Sequence, residues 1–129
     1  MNKIKLLLLF FFFISITFSQ KQTVDSLVKS KAKKEIESLR LRVIKGEKME
    51  DIARAYSEDK ASALKGGLIL DVKKGLTDPE FEKVAFSLKQ GQILKVFETQ
   101  FGYHFIQLVQ RRGDLLDLRH VLIELKLKK

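Results

Sequence analysis

Apolar residues recur at three- and four-residue steps in three stretches of the chain, and this is the period of an amphipathic helix. The first stretch runs from about Val24 to Lys45 and is followed by Gly46, and the second runs from Met49 to Tyr56. The third opens with Asp78, which can cap a helix, and Pro79, which suits the first helical position because its missing N–H costs nothing there. The pattern therefore predicts three helices.

Shorter runs, apolar or alternating, predict four strands. They are Leu68–Val72, 93–98, 103–110 and 118–125. Alternation in the third run places His104, Ile106 and Leu108 on one face, and Gly102 before it indicates a hairpin turn. Residues 57–67 are interpreted as an ordered surface loop. The order of elements predicts an α+β domain with a small, mostly antiparallel sheet.

The first nineteen residues have the pattern of a secretory signal peptide. Lysines precede an apolar run, and Thr17 and Ser19 supply the small residues expected before cleavage at Gln20. The alternative is a membrane anchor, but the run is shorter than the roughly 20 residues that a spanning helix needs. We therefore expect residues 1–19 to be removed, no stable membrane insertion afterwards, and a periplasmic or secreted protein.

Charge and composition exclude several classes of function. The net charge of +9 falls to +7 when residues 1–19 and their two lysines are removed. The basic residues alternate with acids and are not interleaved with stacking aromatics, so nucleic acid is not an expected partner. The chain has no cysteine and therefore no disulfide. No closely spaced set of ligands predicts a metal, and no cofactor is expected.

Three segments together resemble the parvulin-type peptidyl-prolyl isomerase domain, as found in SurA-like periplasmic chaperones. They read "YSEDKASALKGG", "DPEFEKVAFSLKQGQI" and "TQFGYHFIQLVQRR", and the resemblance covers roughly residues 30 to 112. It implies a sheet of about four antiparallel strands wrapped by three or so helices, with a shallow groove on the sheet. It also implies cis/trans isomerisation of the bond before proline, which assists the folding of secreted or outer-membrane proteins. The expected partners are proline-containing segments of unfolded secreted proteins.

The resemblance also implies the polar residues of the site. The histidine of the Phe-Gly-Tyr-His motif is His104, and Thr99 matches a hydroxyl that precedes that motif. A second histidine, expected beside the first, corresponds to His120. These three residues are predicted to form the polar floor of the groove.

The predicted substrate contacts match the family less completely. Phe81 matches the aromatic of the proline pocket, and Phe101 is predicted as a further contact. Thr77 stands where methionine is common, and Leu68 stands where an acid or a cysteine is expected after the glycine pair. The missing acid favours a catalytically weak, chaperone-like binding module, whereas Phe81 and the histidine motif favour an isomerase.

The family's first strand is absent ahead of the first helix, and a matching sequence, "RRGDLLDLRHVLI", lies at the end of the chain. Residues 20–112 are therefore predicted to be a parvulin-like domain without its usual first strand. Residues 113–129 have two interpretations. They fold back through a connection at 111–117 and complete the sheet, or they begin a truncated second domain of a tandem chaperone. The same strand exchanged with a neighbour would give a dimer instead of a monomer.

Overall fold

A computed structural model describes residues 2–93 and 95–126, with side chains from Gln20 onward. The predicted signal peptide, residues 1–19, lies outside the residues whose side chains are described. Across the described part, no helix is both long and apolar enough to cross a membrane. The elements are α1 (Asn2–Ile44), α2 (Met49–Tyr56), α3 (Lys60–Ala63), β1 (Leu68–Val72), α4 (Pro79–Ser87), β2 (Phe97–Thr99), β3 (Gly102–Arg112) and β4 (Leu115–Glu124).

The four strands form one antiparallel sheet in the order β1-β4-β3-β2, which confirms the predicted α+β fold class. The last strand, β4, lies between β1 and β3 and pairs with both. The chain reverses between β3 and β4 through Gly113 and Asp114 alone, because Arg112 already pairs with Leu115. The predicted connection at 111–117 was too long, since pairing continues up to the turn. The division of the chain into signal peptide, domain and C-terminal strand stays a prediction.

The predicted helices form, with changes at their ends. Asp78 caps α4 as expected, because its carboxylate accepts hydrogen bonds from the backbone N–H groups of Glu80 and Phe81. Helix α2 has the predicted bounds, whereas α1 begins well before Val24. The predicted strand at 93–98 is shorter: Ile93 forms only an isolated bridge, position 94 is not described, and β2 begins at Phe97.

The prediction that residues 57–67 form a surface loop was wrong. They contain α3, and both Ser57 and Ser62 are buried. The Ser57 hydroxyl oxygen accepts a hydrogen bond from Leu122 N–H, and Glu58 N–H donates to the Leu122 carbonyl at 2.8 Å. This segment is therefore hydrogen-bonded to the inner strand β4. We name it the β4 clasp (residues 57–67).

Each face of the sheet has its own apolar cluster. Helices α1 and α2 cover one face, where Phe105 and Val121 are fully buried. Helix α4 covers part of the other face, where its Phe81 and Ala85 pack with Ile106 and Leu118. Because α4 has only nine residues, it leaves one end of this second face open. The open end is where the candidate site lies.

Candidate active site

The sheet register brings the two predicted histidines together on the face that carries α4. His104 on β3 pairs with Leu122, and His120 on β4 pairs with Ile106, so the histidines are diagonal neighbours. Their ring centroids are 5.8 Å apart, and the ring planes differ by only 20°. The side chains are almost inaccessible, with 3% exposure for His104 and 4% for His120.

Thr99 fixes the orientation of His104. Thr99 ends β2 opposite Gly102, and its Oγ1 lies 2.7 Å from His104 Nε2. The same oxygen accepts a hydrogen bond from Phe101 N–H at 3.2 Å, which leaves the hydroxyl hydrogen free to point at the imidazole. This network favours the His104 tautomer that carries its proton on Nδ1.

The clasp supplies the partners of His120. Its Nε2 lies 2.7 Å from Asp59 Oδ2 and 2.8 Å from Ser62 Oγ. The Ser62 hydroxyl also donates to Asp59 Oδ2, so the three side chains form a closed triangle of hydrogen bonds. Because the carboxylate can only accept, Nε2 carries the proton of a neutral His120 and its Nδ1 is a free acceptor.

Electrostatics keep both rings neutral and the acid ionised. Burial, followed by the repulsion of His120, lowers the pKa of His104 from 6.5 to about 4. Burial also lowers the pKa of His120, although the carboxylate of Asp59 opposes this shift. For Asp59 itself burial would raise the pKa, but the hydrogen bonds from Ser62 and His120 outweigh it, so the pKa is lowered. At neutral pH His104 and His120 are therefore neutral imidazoles and Asp59 is a carboxylate.

The inferred tautomers leave the two Nδ1 atoms complementary. His104 Nδ1 carries a hydrogen and His120 Nδ1 carries a lone pair, yet neither has a hydrogen-bond partner among the described residues. Buried polar atoms of this kind are uncommon because each one costs free energy, on the order of 1–3 kcal/mol. A cost of that size at two facing rings is typical of a functional site.

An open groove of about 810 Å³ lies over these side chains. Phe81 forms its apolar base and meets both imidazoles edge to face, at centroid distances of 5.6 Å to His104 and 5.7 Å to His120. Ile69, Leu76 and Leu122 add apolar wall. The groove therefore has an apolar part, suited to an aliphatic ring, beside a buried polar part.

Six of the seven residues predicted for the site line this groove. They are His104, His120, Thr99, Phe81, Thr77 and Phe101. Leu68 does not line it: it pairs with Arg119 on the other face, while the next residue, Ile69, pairs with Leu118 and faces the groove. The prediction that Leu68 shapes the pocket was therefore wrong, since alternation along β1 turns it away.

Asp59 is the groove acid that hydrogen-bonds to His120, and it was not among the predicted site residues. The resemblance places an acid immediately after Gly66-Gly67, whereas the structure supplies one from the start of the same serine-rich segment. The two glycines instead allow a backbone conformation with positive φ. Gly67 adopts φ +81° and its carbonyl accepts from His120 N–H at 2.9 Å, an approach that leaves no room for a side chain. The serines of "YSEDKAS" are visible in the sequence, but only the structure shows that Ser57 and Ser62 are buried.

A metal is not indicated by the geometry. Among the described residues, no group of three or more histidine and acid side chains is arranged to hold a metal ion.

Comparisons of the sequence with known proteins and with protein families agree with one another. The family described as "Rotamase: PPIC-type PPIASE domain" matches residues 15–110, more than half of the chain. The chain is 44% identical over 79 residues to the chaperone SurA of Nitrosococcus oceani, a match that covers 61% of this chain and 18% of that protein. It is 39% identical over 87 residues to the foldase protein PrsA of Bacillus subtilis, covering 67% and 30%.

A solved structure agrees in fold. The crystal structure of PrsA from Bacillus subtilis superposes with a TM-score of 0.55 at 43% identity, covering 66% of this chain and 32% of that one. The chain thus spans less than a third of each of these relatives. The matched residues include α4, β1, β2 and most of β3, with the groove residues from Glu58 to His104. Strand β4, which supplies His120 to the groove, lies beyond the matched residues. The chain belongs to the rotamase family and is a PPIC-type peptidyl-prolyl isomerase domain.

Proposed function

We propose that this chain isomerises X–Pro bonds in unfolded segments of secreted or outer-membrane proteins, in the groove over His104 and His120. The observation that carries the proposal is the meeting of an apolar pocket and a buried hydrogen-bonded group in one open groove. The apolar part, at Phe81 and Ile69, takes the proline ring. The imide between X and proline then lies toward Asp59.

The chemistry needs no nucleophile. Rotation about a peptide bond has a barrier of about 18–20 kcal/mol because the planar form is stabilised by conjugation. That conjugation places partial negative charge on the carbonyl oxygen, and the charge decreases as the bond twists. An ionised Asp59 in a partly desolvated groove disfavours the charged, planar oxygen more than the twisted one. A thousandfold acceleration requires only about 4 kcal/mol of such preference.

The histidines have a positioning role in this proposal. Both are neutral at pH 7 and nearly inaccessible, which suits groups that hold their neighbours in place. His120 holds Asp59 through its Nε2, and His104 holds the hairpin tip through Thr99.

A peptide-holding function without turnover is the second candidate. Leu76 and Phe101 lie on the groove rim and are 76% and 55% exposed, which suits contacts with extended apolar segments. In that case the chain would slow the aggregation of unfolded proteins and leave the rate of proline isomerisation unchanged.

The deciding experiment is a protease-coupled isomerisation assay on Ala-Pro-Phe peptides with the full chain. Catalysis that saturates with peptide, and that falls in a Phe81→Ala variant that is still folded but lacks the apolar base of the groove, supports the isomerase. A folded protein that prevents aggregation but leaves the isomerisation rate at its uncatalysed value would establish the holding function instead. We further propose that the protein acts in the periplasm or outside the cell, which fractionation of cells that produce it would test.

A further inference from the structure

The charge of the groove is opposite to that of the chain. The chain has a net charge of +9, with 25 lysines and arginines against 16 acids. Among the described residues that line the groove, four are acids and one is a lysine, Lys60. The acids are Glu58, Asp59, Asp78 and Glu124. A local reversal of sign on a basic protein indicates selection by charge at this site.

Three of the acids lie together at the polar end of the groove. Glu58 and Asp59 are adjacent in the clasp, and Glu58 Oε2 accepts a hydrogen bond from Glu124 N–H at 2.6 Å. The fourth, Asp78, caps α4 on the opposite side, where its carboxylate is occupied by backbone N–H groups. The end near His120 therefore has the higher density of negative charge.

The buried histidines indicate independently that this end receives a ligand. His104 and His120 line the same cavity, and the Nδ1 atom of each is buried without a partner in the described part of the chain. A group that binds beside these histidines lies in the same groove as the cluster of acids.

The chemistry of the substrate determines which group that is. In an X–Pro bond the carbonyl belongs to X and the ring belongs to proline. With the ring against Phe81 and the carbonyl toward Asp59, as in the proposed function on which this inference rests, X occupies the polar end of the groove, which Glu58 and Glu124 also line. We propose that the groove prefers segments in which lysine or arginine directly precedes proline.

The two acids nearest to X differ in how available they are. Glu58 is partly neutralised, because Lys126 Nζ donates to its Oε1 at 2.5 Å. Glu124 also feels the charge of Lys126, but its carboxylate is exposed and forms no described ion pair. Glu124 is therefore the main contact for a cationic X, and Lys126 competes with that cation for the acids.

This arrangement predicts opposite effects for two neutralising substitutions. The assay uses the full chain and peptides of the form X-Pro-Phe with X as Lys, Gln or Glu, and it compares kcat/KM. An exposed ion pair corresponds to an advantage of about threefold for Lys over Gln. Glu124→Gln is expected to lower the Lys-to-Gln ratio toward one, and Lys126→Gln is expected to raise it. Asp114→Asn removes one negative charge from the distant β3–β4 turn and serves as the control that leaves the ratio unchanged.

Salt provides a second readout, because screening weakens exposed charge pairs. The Debye length falls from about 10 Å at 0.1 M salt to about 3 Å at 1 M, so the preference for Lys should shrink while catalysis of the Gln peptide persists. Equal rates for all three peptides, or the highest rate for Glu, would overturn this inference and leave the isomerase intact. No catalysis of any peptide by the folded chain would instead overturn the proposed function.

Discussion

The two faces of the sheet are built from alternate residues of the same two strands, yet they bury different chemistry. Under α1 and α2, the strands contribute Tyr103, Phe105, Val121 and Ile123 to a cluster of apolar residues. Under α4, the neighbouring positions on these strands include His104 and His120. The apolar cluster on this face ends at an open groove, which the two histidines line.

The difference lies in the polar atoms. In the described residues, three buried side-chain atoms have no hydrogen-bond partner, and all three belong to residues that line the groove. They are Thr77 Oγ1, His104 Nδ1 and His120 Nδ1. Each such atom costs on the order of 1–3 kcal/mol, an appreciable fraction of the stability of a small domain. The groove face therefore gives up some stability, whereas the described residues of the face under α1 and α2 contain no unpartnered buried side-chain atom of this kind.

The largest expected effect comes from damaging the apolar face. Phe105 is fully buried on β3, so Phe105→Ala should lower the free energy of unfolding by about 3–5 kcal/mol through lost contacts and a cavity. Val109→Ala on the same strand is the matched control, because Val109 is 38% exposed and should change stability little. Urea unfolding followed by circular dichroism measures both. A small decrease in the free energy of unfolding for Phe105→Ala would mean that the packing on this face contributes little to stability.

The next largest effect is a pH dependence of stability that arises from His104 on the groove face. Because the pKa of His104 is lowered from 6.5 to about 4, the unfolded chain binds more protons than the folded one between these pH values. The stability linked to His104 is complete above pH 6.5 and is lost as pH falls, by about 3 kcal/mol in total. Urea midpoints between pH 7 and pH 4 measure the loss. His104→Gln should flatten the curve, and an unchanged slope would contradict the assignment.

Removal of the acid should affect catalysis more than stability. Asp59→Asn keeps the shape of the side chain but removes the charge that disfavours the planar imide, so kcat should fall by about tenfold to a hundredfold. Asp51→Asn is the matched control, since Asp51 is highly exposed on α2 and does not line the groove. The isomerisation assay with both variants is the measurement. Full activity in Asp59→Asn would remove the carboxylate from the mechanism.

Most of the fold could be predicted because its signals are local. The cap at Asp78 and the periods in α2 and β3 depend only on neighbours in sequence, and they gave correct elements. The failures came from tertiary contacts. The clasp looked polar, but Ser57 and Ser62 are buried against β4, more than fifty residues later in the chain.

Only the site residues that lie in contiguous sequence motifs could be predicted reliably. His104, Thr99 and Phe81 come from contiguous motifs, and they line the groove together. The resemblance places the acid at position 68, directly after the glycine pair. Only the pairing of β1 with β4 shows that Leu68 faces away, and only the fold of the clasp brings Asp59 to His120.

A smaller effect tests a buried polar group that is fully paired. Asp117 is almost inaccessible, and its carboxylate accepts hydrogen bonds from Arg112, from Gln110 and from the backbone N–H of Asp71. Asp117→Asn should lower the free energy of unfolding by about 1–2 kcal/mol, because a charged acceptor is lost. Asp71→Asn should cost much less, since Asp71 contacts the same arginine but is mostly exposed. Equal losses in urea unfolding would show that burial does not matter here.

The smallest effect compares one substitution at two places in the groove. Thr77 has a buried hydroxyl without a described partner, whereas the Thr99 hydroxyl lies 2.7 Å from His104 Nε2. Thr77→Val should therefore raise the free energy of unfolding by up to about 1 kcal/mol, and Thr99→Val should lower it by a similar amount. Thr77→Val should also lower KM for proline peptides, because the pocket becomes more apolar.

If hydrogen bonding determines the cost of a buried hydroxyl, the change from threonine to valine raises the free energy of unfolding at position 77 and lowers it at position 99. Urea unfolding of both variants, with Thr77→Ser as the variant that keeps the hydroxyl, decides the point. Destabilisation by both valines would mean that Thr77 has a partner when the protein is in solution. In that case the groove face would give up less stability than its geometry indicates, and the contrast with the face under α1 and α2 would be one of chemistry alone.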